Sequence, residues 1–169
     1  MGHGSWRRLG MKITLYCIGS LKESYWRSAA EEYLKRLQAY AKVTVEEFPD
    51  LATKEGLSPK EEAEIKEKEG TRVLQKIKSG DYVIAMDLNQ KEFDSISFSS
   101  YLENAFVKGR SSLIFLIGGS LGLSDALKAR ANDSISFGKM TFPHQLSRIM
   151  LLEQLYRAFR IAHHEPYHK

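Results

Sequence analysis

Two groups of residues in the second half of this 169-residue chain have the types and spacing to do chemistry. One is a glycine turn, Gly118-Gly119-Ser120-Leu121-Gly122-Leu123-Ser124, set directly after the run Ser111-Ser112-Leu113-Ile114-Phe115-Leu116-Ile117. Five consecutive apolar residues bounded by turn signals predict a strand buried on both faces, as in a parallel sheet. Ligands of open parallel sheets bind beyond the carboxyl ends of the strands, where this turn would sit. The other group is a basic carboxyl end. From Lys139 onward, five Lys or Arg (139, 148, 157, 160 and 169) face two Glu (153 and 165), and four of the five His lie there, at 144, 163, 164 and 168. A basic end beside a ligand loop suits phosphates, with a surface helix carrying ordinary arginines as the alternative.

The glycine turn does not fit the usual nucleotide fingerprints. No Lys follows Gly122, as a P-loop would need, and the spacing of Gly118, Gly119 and Gly122 is not G-x-G-x-x-G. Taken alone, it reads as a tight strand-to-helix turn that needs positive φ at one or two glycines. His163 and His164 are adjacent, so they point apart on a helix. No Cys or carboxylate cluster completes a metal site, and no metal is expected.

Alternating elements must position these groups. Lys12–Ile18 reads as a strand, and Trp26, Ala29, Ala30, Tyr33, Leu34 and Leu37 recur at helical spacing. Val43 and Val45 mark a second strand. Ser58-Pro59-Lys60-Glu61 opens a helix with capping-box spacing and Pro at its first position. Asp81–Asp87 reads as a third strand, Phe98–Lys108 as a helix, Leu113–Ile117 and Ile135–Phe137 as strands, and Asp125–Ala131 as the helix between them. Residues 49–58 and 88–97 read as loops. This alternation predicts an α/β protein with a parallel sheet and helices on both faces. Between Gln145 and Ala162, apolar residues cover most of a helix circumference, which calls for burial on several sides. A second subunit is a natural source of that cover, so a homodimer is expected.

Residues 1–10 read as a cloning scar or an upstream extension, and 11–169 as one domain. Without Arg7 and Arg8 the formal charge falls from +4 to +2, so global charge says little about an RNA partner. No apolar run approaches the roughly 20 residues of a membrane span. The single Cys, Cys17, gives no disulfide framework and reads as a buried core thiol. A cytoplasmic location is expected.

Several segments together resemble one family. They are Gly118 to Ser124, Ser136-Phe137-Gly138-Lys139-Met140-Thr141-Phe142-Pro143-His144-Gln145-Leu146, Leu155-Tyr156-Arg157-Ala158 and Glu165-Pro166-Tyr167-His168-Lys169. Met11-Lys12-Ile13, Gly19-Ser20-Leu21-Lys22-Glu23 and Lys68-Glu69-Gly70 agree as well. The chain is similar from Met11 to Lys169 to the RlmH family, SPOUT-class methyltransferases that modify N3 of a pseudouridine in 23S ribosomal RNA, in the loop of helix 69. The resemblance implies a deep trefoil knot near the carboxyl end, a homodimer, and a 70S ribosome as substrate. It also implies S-adenosylmethionine in a slot touching Met86, Gly118, Phe137, Gly138, Lys139, Met140, Thr141 and Phe142. Gly118 is expected there to let backbone approach the ligand closely.

Methyl transfer from a sulfonium needs no metal, only alignment and removal of the imide proton. His144 is the first candidate beside the transfer point, with Arg148 one helical turn on. Arg157, Tyr156, Tyr167 and His168 are candidates to hold the flipped base or its phosphates, across the dimer if geometry requires it. Two rivals are a non-catalytic RNA-binding protein on the same scaffold and an enzyme whose glycine loop cradles nucleotide phosphates.

Overall fold

Apolar side chains alternate between two faces along every central strand, so both faces of the sheet must be covered. The computed structural model describes residues 10–52 and 54–169, which leaves most of the 1–10 leader, with Arg7 and Arg8, outside the described residues. The chain runs β1 (Lys12–Ile18), α1 (Ser24–Leu37), β2 (Lys42–Phe48), α2 (Pro59–Leu74) and β3 (Tyr82–Glu92). It continues through α3 (Ser95–Val107), β4 (Ser112–Ile117), α4 (Asp125–Arg130), β5 (Asp133–Ser136) and α5 (His144–Ala162). The strands form one sheet in the order β2-β1-β4-β3-β5, and every neighbouring pair is parallel.

Leu113, Phe115 and Ile117 of β4 face one core with Ile13, Leu15 and Cys17 of β1, covered by α1, α3 and α5. Ile114 and Leu116 face the opposite core with Val83 and Ala85, covered by α2 and α4 through Val73 and Leu127. Cys17 is buried, and desolvation pushes its thiol up to about 11, which leaves it protonated and inert. The capping box forms as its spacing predicts. The Ser58 hydroxyl accepts from Glu61 N at 3.2 Å, and Glu61 Oε1 accepts from Ser58 N at 3.2 Å.

Three elements differ from expectation, the simplest being β5, which runs over Asp133–Ser136 and leaves Phe137 beyond its end. Residues 88–92 are not loop: β3 continues to Glu92, shifting register between Met86 and Lys91 beside β5. The cause is Ser136, whose hydroxyl accepts from Gln90 N at 2.7 Å and donates to Asp87 O at 2.6 Å. That side chain replaces the missing ladder bonds, while Asn89 takes a left-handed φ of 58° that an asparagine tolerates. Likewise α3 opens at Ser95, three residues early, because the Asp94 carboxylate accepts from Ser97 N at 2.7 Å.

Helix α5 lies between α1 and α3 on the sheet, with Leu151, Leu152, Leu155, Ala158 and Phe159 buried. The Ser99 hydroxyl donates to Ala158 O at 2.7 Å, which ties α3 to it. Much of the cover that its sequence calls for therefore comes from its own chain. Ile149 and Met150 stay only partly covered, along a groove against α3.

Candidate functional site

The carboxyl ends of β3, β4 and β5 open into a cavity of about 730 Å³. Its walls are Met86, the glycine turn from Gly118 to Leu123, and Phe137, Gly138, Met140, Thr141 and Phe142, with His144 at the start of α5. Seven of the eight residues expected around a cofactor thus meet in one space, and only Lys139 is absent from the lining. Met140 is 76% exposed, so it stands at the rim rather than forming a closed wall. Asp87, Leu88, Lys66 and Lys128 also line the cavity, and no motif in the sequence points to them. Asp87 pairs with Lys128 at 3.5 Å. Asp87 ends the strand expected from the sequence, whereas Leu88 enters through the continuation of β3 beyond it, where a loop is expected.

The turn closes on itself. Gly122 N donates to Gly119 O at 3.1 Å, and Gly122 has a φ of +82°. A Cβ on Gly118 would lie 2.6 Å from the Gly122 carbonyl carbon. The turn therefore requires a glycine at 118 to fold against its own far side, before any ligand is considered. This intrachain reason stands beside the expected one, close approach to a ligand, because Gly118 also lines the cavity. Gly138, with a φ of +149°, lets the chain turn out of β5 toward α5.

His144 sits half-buried with its ring against Gly19, where a Cβ would come within 3.0 Å of His144 Cε1. Gly19 has a φ of +113°. Burial holds the imidazole below the ordinary histidine range; Asp50 and Glu23 pull upward and Arg148 pushes down. Its ring is consequently neutral near pH 7 and able to accept a proton.

Arg148 does not reach the cavity. It is 3% exposed, its Nη1 donates to Glu47 Oε2 at 2.6 Å, and its Nη2 donates to Gly19 O at 3.1 Å. One turn beyond His144, it lies on the inner face of α5 and points at the sheet ends. It holds the β1 exit, at Gly19, against which the His144 ring rests.

The four residues expected at RNA gather at the other end of α5. Tyr156 and Tyr167 meet edge to face at 4.9 Å, the Arg157 guanidinium covers the Tyr167 ring at 4.7 Å, and Arg157 Nη1 lies 3.1 Å from His168 Nδ1. Glu153 joins them: it pairs with Arg157 at 2.9 Å and accepts from the Tyr167 hydroxyl at 2.9 Å. Burial and that carboxylate push the Tyr167 phenol up to about 12. The tail is thereby tied to the helix. Twelve residues of α-helix separate Tyr156 from His144, about 18 Å along the axis. Within one chain this cluster does not meet His144. It borders instead the α3–α5 groove, about 720 Å³, lined by Phe93, Ile96, Ile149, Met150 and His168 among others, with Phe137 shared between the two cavities.

No group of three or more His, Cys, Asp or Glu among the described residues is placed to hold a metal ion. No helix among them is long and apolar enough to cross a membrane.

A family model described as "Predicted SPOUT methyltransferase" matches residues 11–168. A curated relative from Clostridium acetobutylicum, ribosomal RNA large subunit methyltransferase H, is 57% identical over 159 residues, spanning 94% of this chain and 100% of the relative. Ribosomal RNA large subunit methyltransferase H 1 from Clostridium perfringens is 55% identical over the same shares. Among solved structures, a probable methylase family protein from Haemophilus influenzae Rd KW20 is 9% identical. It aligns with a TM-score of 0.49 over 95% of this chain and 70% of its own.

Proposed function

We propose that this chain, which belongs to the SPOUT methyltransferase family, methylates N3 of a pseudouridine in the helix 69 loop of 23S ribosomal RNA on the assembled ribosome. Its methyl donor is S-adenosylmethionine. The observation that carries the reading is the convergence of Met86, the glycine turn, Phe137, Gly138, Met140, Thr141 and Phe142 on one cavity, with the half-buried His144 at its edge. The cavity suits the donor: its volume is in the range of small-molecule sites, and Phe137, Phe142 and Met86 supply apolar walls. Loop backbone supplies polar partners.

When bound, S-adenosylmethionine supplies a methyl group already activated on its sulfonium. What remains for the protein is orientation and a proton. The glycine turn and the 137–142 segment align the ligand in the slot, which lowers the entropic cost of the encounter. The half-buried imidazole of His144 accepts the proton from the pseudouridine imide. Arg148 keeps that ring in place through Gly19 and Glu47.

The Arg157, Tyr156, Tyr167 and His168 cluster offers two aromatic faces, a cation and a titratable ring for a base and its phosphates. Its distance from His144 within one chain favours a homodimer, in which one protomer's cluster serves the other's cavity. We assign the interface to α5 and its apolar groove, where Ile96 is 57% exposed beside Ile149 and Met150. The path from β5 through 137–143 into α5 is where we place the trefoil knot, residues 11–169 act as one domain, and ribosomes set the workplace as the cytoplasm. Titration calorimetry tests the reading: S-adenosylmethionine should bind and ATP should not. Binding of ATP alone would favour a phosphate-cradling loop, and binding of neither would favour a non-catalytic RNA-binding protein.

A further inference from the structure

The segment Lys68-Glu69-Gly70 lies outside the cavity, yet Gly70 abuts one end of the glycine turn and Glu69 reaches the other through residues 50 and 51. Glu69, on α2, is 1% exposed. Its Oε2 accepts from Leu51 N at 2.7 Å, and its Oε1 is buried with no donor. The residue before Leu51 is Asp50, whose carboxyl comes within hydrogen-bonding reach of Glu69. Asp50 Oδ1 accepts from Ala52 N at 3.0 Å, and its Oδ2 lies 3.0 Å from where a Cβ on Gly119 would stand. Gly70 then abuts the far end of the turn, because a Cβ there would collide with the hydroxyl of Ser124. That hydroxyl caps α4 by accepting from Leu127 N at 3.2 Å.

We propose that the buried Glu69 carboxyl keeps its proton and donates it from Oε1 to the Asp50 carboxylate, and that this acid pair, through α2, positions the glycine turn of the methyl-donor cavity. The inference rests on the function proposed above. Two adjacent carboxyls, one of them buried, do not both ionise when a shared proton can satisfy the orphaned oxygen. Burial raises the Glu69 carboxyl above its usual range; the Leu51 N–H opposes this, and the Asp50 charge adds to it. With the proton in place, Asp50 is fixed against Gly119 while Gly70 keeps α2 close to Ser124. The four residues between, Ser120 to Leu123, are then held from both flanks. Without the proton, two anions would repel, and the 50–52 segment would move away from Gly119. The Asp50 carboxyl also acts on His144, which Arg148 and Glu23 reach as well, so the pair is coupled to the proton acceptor.

Three measurements test this. Glu69→Gln keeps an acceptor for Leu51 N and a permanent donor for Asp50, whereas Glu69→Leu keeps the volume and removes both. We expect E69Q to bind S-adenosylmethionine like the wild type and E69L to bind at least about fivefold more weakly. Asp50→Asn, whose amide donates to an ionised Glu69, should rescue as E69Q does and stands in should E69L fail to fold. Infrared spectra of the wild type near neutral pH should carry a protonated-carboxyl band that E69Q lacks. Weakening by E69Q equal to that of E69L, wild-type affinity in E69L, loss of binding in D50N, or absence of the band would each overturn the proposal. The infrared readout needs no ligand, so a wild type that fails to bind S-adenosylmethionine yet shows the band would sink the proposed function and not the shared proton.

Discussion

Replacing Gly118 with Ala should weaken donor binding by distorting the turn from within. The added Cβ would stand 2.6 Å from the Gly122 carbonyl carbon, 2.9 Å from its Cα and 3.0 Å from its oxygen. All three are backbone atoms, so no flexible side chain can swing aside. Restoring ordinary contact requires the two arms of the turn to part by about 0.8 Å, and overpacking of this kind costs about 1–3 kcal/mol. Because the same atoms line the cavity, a loss of that size in the binding-competent loop corresponds to about 5- to 150-fold in affinity for S-adenosylmethionine. Titration calorimetry measures it, with far-ultraviolet circular dichroism checking that the sheet is intact. Gly122→Ala serves as a control of different cause: a Cβ there has nothing within 4 Å, but the φ of +82° makes the conformation strained. That costs about 1–2 kcal/mol. Affinity of G118A within twofold of wild type would refute both the internal role of Gly118 and the place of the turn in the cavity.

Arg148→Met should leave the Gly19 carbonyl without its donor and Glu47 without its partner. Glu47 is itself partly exposed, so we expect about 2–3 kcal/mol. For a chain of this size that is a fall in Tm of about 4–12 °C by scanning calorimetry, and an unchanged melt would contradict the positioning role. His144 has a folded pKa below its ordinary 6.5, so the unfolded chain takes up the proton first. Stability and methyl transfer should both fall as pH drops below 6.5, and a rate profile whose acidic limb is centred above that value would be inconsistent with a neutral acceptor. Deleting 167–169 should leave cofactor binding and dimerisation nearly intact while single-turnover methylation of ribosomes drops severely; wild-type rates would reject a role for the tail.

The alternation of elements was legible because each strand and helix carries its own period, and the Ser58 cap because its partners are three residues apart. What escaped depended on contacts distant in sequence. The continuation of β3 past Asp87 is set by the hydroxyl of Ser136, 49 residues away, which no local pattern reveals. The spacing of Arg148 from His144 places both near one helix end, but it is the sheet end, with Glu47 101 residues away and Gly19 129, that turns its guanidinium inward. The sequence pattern singles out Gly118, but not the contact with the backbone of Gly122 that requires a glycine there. The lining by Met86, Phe137 and Phe142 came from resemblance, since each aromatic taken singly would pass for core.

The most direct test of the account is to supply unmethylated 70S ribosomes with the purified protein and S-adenosylmethionine labelled in its methyl group, then map the labelled nucleotide by mass spectrometry. One methyl is expected on N3 of a pseudouridine in the helix 69 loop of 23S ribosomal RNA, with naked RNA modified far more slowly. Label at another position, equal rates on naked RNA, or no transfer from a protein that binds the donor would contradict it.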